Sequence, residues 1–186
     1  MTPEGFPHPG DYAPSDSSRR YQFYWELLGD IDSGRPHLGN QTRLEVYRLM
    51  QFTMRDVLEA RFGTPVADEV FYAAGKMAGQ AFYEHFLGQA SDFDGFVRRL
   101  QETLREMGVG ILRIEKADLA SGELVLTVSE DLDCSGLPEL SYEICVYDEG
   151  FIAALLESFT GRAFKVKEID CWCTGDRTCR FRALAE

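Results

Sequence analysis

Residues 165–181, KVKEIDCWCTGDRTCRF, place three cysteines and a glutamate around a Thr-Gly-Asp-Arg turn. The stretch reads as an antiparallel hairpin, with Phe164–Cys173 as one strand, Thr178–Leu184 as the other and a loop at Thr174–Asp176. Gly175 supplies the backbone freedom that a tight turn requires. In this register Cys171 faces Cys179, and directly opposed residues have Cβ atoms about 5 Å apart, close enough for two thiols to grip one metal ion. The C-x7-C spacing also fits a pair of small buried strand residues, because free cysteine behaves as a small hydrophobe.

Around the hairpin, composition narrows the function classes. The N-terminal MTPEGFPHPGDYAPSDSSRR has no apolar h-region, and five cysteines is an odd number, so a reducing, cytoplasmic setting is expected. There a cysteine cluster points to metal binding or catalysis before a disulfide framework. A net charge of −12 argues against a nucleic-acid surface, which needs clustered Lys and Arg. No apolar run reaches membrane-spanning length, so no membrane insertion is expected.

Ahead of the hairpin the sequence divides by its periodicity. Residues 1–20 are expected to be a flexible tail and 21–40 an aromatic arm (YQFYWELL) followed by a loop, with one domain over 41–186. Helices are expected over Arg43–Phe62, Ala67–Leu87, Phe93–Met107 and Cys145–Phe159. Strands are expected at Gly110–Lys116 and Glu123–Ser129, joined through Ser121-Gly122. This order of helices, two strands, helix and two strands gives an α+β fold with helices packed on an antiparallel sheet. Within the second helix Ala74, Gly75, Ala78 and Gly79 repeat small residues, which signals close backbone packing or space for a bound molecule.

The Ala-Gly and Gly of 74–79, the cysteine opening a helix at Cys145, and the ending Glu-x2-Cys with Gly-Asp-x2-Cys-x-Phe together resemble the 4-vinyl reductase domain family. This hydrocarbon-binding family is related to the sensory domains of phenol- and xylene-responsive activators. The resemblance covers roughly Arg35 to the C-terminus. It implies the fold of haem-based nitric-oxide sensors and vesicle-transport subunits, in which helices and a sheet enclose an apolar pocket. It also implies a structural zinc held by Cys145, Glu168, Cys171 and Cys179, whose spacings match. Strand alternation puts Glu168 and Cys171 on opposite faces, so the strand must bulge or end between them, and Cys173 is the substitute ligand should Glu168 point away.

The sensory members hold a phenolic hydroxyl with a His and a Trp, and this sequence has no equivalent pair. A ligand held by apolar contact is expected instead, lined by Phe71, Gly75, Phe82, Phe86, Phe151 and Leu155, each of which fits a plain core equally well. No catalytic motif stands out, so no catalytic residue is assigned and an enzyme is disfavoured. The leading expectation is a stand-alone binding or sensory module for a small hydrophobic molecule, acting as a homodimer. The alternatives are an accessory factor for tetrapyrrole or other cofactor synthesis, or a ligand-free interaction adaptor.

Overall fold

The computed structural model describes residues 20–186, so the tail expected over 1–20 lies, but for Arg20, outside the described residues. Residues up to Arg43 and residues Leu44–Glu186 form separate units. In the first, the aromatic segment makes a 3₁₀ turn at Trp25–Leu28. A single helical turn, α1 (Ile31–Gly34), follows where a loop was expected, because Asp30 caps it by accepting from the Ser33 N–H.

In the second unit α2 (Leu44–Phe62) and α3 (Thr64–Phe82) run either side of Gly63, whose φ of +82° suits glycine, with Pro65 in the first turn of α3. The expected second helix thus starts three residues early. Its end, Tyr83–Leu87, winds as a π-type turn. Helix α4 (Phe93–Glu106) is capped by Asp92, which accepts from the Gly95 N–H at 2.7 Å. Strands β1 (Ile111–Asp118) and β2 (Glu123–Ser129) precede α5 (Val146–Thr160), which ends at a left-handed Gly161. Strands β3 (Phe164–Asp170) and β4 (Cys179–Ala185) complete an antiparallel sheet of order β1-β2-β4-β3. The fold is α+β.

Helix α5 is the centre of this unit. It buries residues along its whole length, including Val146, Ile152, Ala153, Leu155 and Leu156, between the sheet and α3. The small-residue stripe of α3 is what lets the two helices touch. A Cβ on Gly75 would come 2.0 Å from the Tyr147 carbonyl oxygen, and one on Gly79 2.4 Å from that of Phe151. Gly150 of α5 reciprocates, 2.1 Å from the Tyr72 carbonyl oxygen. Backbone approach, not ligand space, explains these glycines.

Helix α2 is held differently. Among its 19 residues only Arg55 is buried, and its guanidinium bonds Glu59 and Asp68 while lying 4.7 Å over the Phe71 ring. Further along, Tyr47 donates to Asp133 Oδ1 and Gln51 to Asp133 Oδ2, both at 2.7 Å. These bonds tether α2 to the loop that leads from β2 to α5.

The hairpin departs from its expected shape in length. Ladder pairing stops at Asp170↔Arg180, and Trp172–Thr174 winds into a 3₁₀ turn before Gly175 at φ +101°. The cause is local: the Thr174 hydroxyl accepts from the Cys171 N–H and donates to the Cys171 carbonyl, which pulls the chain out of the ladder. The bulge required between Glu168 and Cys171 is present, the register shifting between Glu168 and Asp170.

Candidate metal and ligand site

Four sulfurs meet where the hairpin end, the start of α5 and the β2–α5 loop converge. The Sγ atoms of Cys134, Cys145, Cys171 and Cys179 all lie within 4.8 Å of one another, and all four residues are buried and unbridged. Cys145 occupies the N-cap of α5, where the helix dipole favours a thiolate. The β3 bulge and the 3₁₀ turn aim Cys171, and the first residue of β4 is Cys179. An Asx-type loop carries Cys134: Asp131 Oδ1 accepts from the N–H groups of Asp133 and Cys134.

The separations suit a tetrahedral ion. Cys145 lies 4.0 Å from Cys171 and 3.9 Å from Cys179, against an edge of about 3.8 Å for zinc–sulfur bonds of about 2.3 Å. Cys134 and Cys179 are closer, at 3.0 Å, well beyond a disulfide bond of about 2.05 Å. Electrostatics favour a cation here. Sharing protons among the sulfurs holds the Cys171 thiol far below the ordinary range and pushes Cys145 and Cys179 far above it. The protein alone therefore supports one thiolate, which accepts from its neighbours, and a metal is what lets the others ionise.

Glu168 stands at the edge of this cluster. It is buried, with Oε2 accepting from the Cys145 N–H at 3.3 Å and Oε1 without a hydrogen bond. Burial and the Cys171 charge push its carboxyl up to about 9. Its orphaned oxygen is the kind of atom a metal or a protonated neighbour would satisfy. Cys173 is buried outside the four-sulfur group, and its carbonyl accepts from Leu140 and Ser141. Sequence spacing missed Cys134, which sits in a loop with no period to place it.

Beside the cluster lies a cavity of about 40 Å³ between α4, α5 and the sheet, lined by Phe96, Val97, Leu100, Leu126, Phe151 and Leu155 among other apolar side chains. Its polar wall consists of Asp131 and Asp148. Burial and Asp133 push the Asp131 carboxyl up to about 7, and burial raises that of Asp148 well above its usual range. Of the residues expected to line a pocket, the structure brings Phe151 and Leu155 to this cavity. Phe71 instead lies under Arg55, and Gly75 is pressed on Tyr147. Phe82 packs on Phe86 and Phe151, at ring separations of 4.8 and 5.2 Å. The cavity wall comes from α4, whose apolar stripe Phe96, Leu100 and Leu104 faces inward.

Comparison with known proteins places this geometry. The family model of the 4-vinyl reductase domain matches residues 124–185, which span β2, the Cys134 loop, α5 and the terminal hairpin. The phenol-responsive sensory domain of the transcription activator PoxR, solved with phenol, superposes with a TM-score of 0.58 at 16% identity, covering 72% of this chain and 71% of that one. A vinyl-4-reductase family protein from Methanocaldococcus jannaschii gives 0.58 at 16% identity, over 80% of this chain and 85% of the other. A trafficking protein particle complex subunit 3 from Naegleria fowleri, covalently bound to palmitic acid, gives 0.59 at 13% identity, over 77% and 95%. The fold is thus shared with a vesicle-transport subunit, and over residues 124–185 the chain belongs to the 4-vinyl reductase domain family.

Proposed function

We propose that the chain is a binding or sensory module for a small hydrophobic molecule, with a structural zinc beside the ligand chamber. The observation that carries this reading is a juxtaposition. The loop and helix turn that supply Cys134 and Cys145 to the thiol cluster also supply Asp131 and Asp148 to the cavity wall. A ligand entering the chamber presses on the elements that hold the ion. That the PoxR domain was solved with phenol and the trafficking subunit with palmitic acid supports a fold suited to apolar ligands.

In this reading four thiolates hold the zinc, Cys134 taking the position that the resemblance gave to Glu168. When bound, the ion supplies charge neutralisation and a crosslink, with no open position for chemistry. The residues do the rest: Cys171 and Cys179 fix the hairpin end, Cys145 fixes the start of α5, and Glu168 braces the Cys145 backbone. Dimerisation through the aromatic arm and a cytoplasmic setting belong to the same proposal. Native mass spectrometry of the purified protein tests it. One zinc and an apolar adduct, removable by solvent extraction, support the reading; an adduct-free chain that also takes up no offered apolar compound contradicts it.

A further inference from the structure

The chamber is apolar except at one end, and that end is unbalanced. A carboxyl oxygen of Asp131 and one of Asp148 lie within 4.8 Å of each other. Asp131 is engaged, accepting from the N–H groups of Asp133 at 2.8 Å and Cys134 at 3.0 Å. Asp148 is not: it lies in the interior, and its Oδ2 is buried without a hydrogen-bond partner. Among the described residues no Lys or Arg lines the chamber. Arg48 spends its donors on the carbonyls of Leu132, Asp131 and Ser135.

A buried acceptor without a donor is costly, and a fold retains one where something else completes it. A hydrated metal ion needs polar ligands all round, which this wall does not offer. A neutral hydroxyl satisfies one acceptor and leaves the second carboxyl facing the first. A protonated amine answers both carboxyls with directed N–H donors, while its carbon chain lies along the aromatic and aliphatic wall.

We propose that the chamber takes a small primary amine with an apolar chain, its ammonium group held by Asp148 with Asp131 beside it. The proposal rests on the reading of the cavity as a ligand chamber. At about 40 Å³ the open space holds on the order of three waters, so a short chain enters first and a longer one requires the walls to part.

Titration of the full-length protein with n-butylamine, 1-butanol and butyrate, followed by methyl NMR shifts of Leu100, Leu126 and Leu155, tests this. Butylamine is expected to bind at least tenfold more tightly than butanol, and butyrate not to bind. Asp148→Asn, which keeps the shape and removes the charge, is expected to bring butylamine down to the level of butanol and to leave butanol within twofold. Butanol binding as tightly as the amine, or an amine affinity unmoved by Asp148→Asn, overturns the amine proposal and leaves the chamber standing. Failure of all three to shift the cavity methyls overturns both. The three-ligand comparison on the unaltered protein decides the matter even where the variant fails to fold.

Discussion

The Sγ atoms of Cys134 and Cys179 lie 3.0 Å apart, joining the loop after β2 to the first residue of β4. With Cys145 and Cys171 they close a four-sulfur group in which Glu168 is a neighbour. Cys134→Ser, Cys145→Ser, Cys171→Ser and Cys179→Ser should therefore each lose zinc and lower the melting temperature. Glu168→Gln, which alters an outer partner, should retain the ion with affinity reduced by about 10- to 100-fold at most. A chelator-competition assay on the five variants checks the ranking.

Zinc binding should displace protons. Because the Cys145 and Cys179 thiols are pushed far up by their sulfur neighbours, the metal-free cluster holds protons that the ion must expel. Affinity is expected to fall by about tenfold per pH unit, as pH drops, for each proton released. Competition titrations from about pH 6 to about pH 8 give the slope.

The α3–α5 crossing should be intolerant of a single methyl group. Gly75→Ala and Gly150→Ala each drive a Cβ to within about 2 Å of a backbone carbonyl oxygen, so each should cost about 2–3 kcal/mol or more through overpacking. The double variant should cost less than the sum, since one separation of the helices relieves both clashes. Urea unfolding of the two single variants and the double variant measures this.

Enlarging the chamber should be costly to the fold and favourable to ligands. Leu155 is 2% exposed, and Leu155→Ala should destabilise by about 2–5 kcal/mol while opening space on the cavity side. Denaturant melts with and without a small apolar compound check both effects.

Helix α2 should open before the rest of its unit. Arg55 is its one buried residue, and its other ties are the polar bonds of Tyr47, Arg48 and Gln51 to the 131–135 loop. Hydrogen exchange is expected to be faster along α2 than along α5, and Asp133→Ala to widen the gap.

The hairpin and α5 were legible because their signals are local: alternation, a left-handed glycine after each element, and cysteines at spacings that survive folding. The need for a bulge near Ile169 followed from the two-residue period of a strand. Cys134 was not legible, since a loop residue reaches its partner only through tertiary packing. The cavity wall was misplaced for a related reason. Helix α3 and the turn after it carry Phe71, Phe82 and Phe86, but the small-residue stripe of α3 decides that it packs on α5, and the amphipathic α4 is left to face the chamber. Asp148 reads in sequence as an ordinary acidic residue in a first helical turn, and only the closed cavity shows that it lacks a partner.

The most direct test of the account is zinc content with zinc-edge X-ray absorption on the purified chain. The account predicts one zinc per chain surrounded by four sulfurs at about 2.3 Å. A chain that folds without metal, or an ion held by oxygen and nitrogen in place of sulfur, would contradict it.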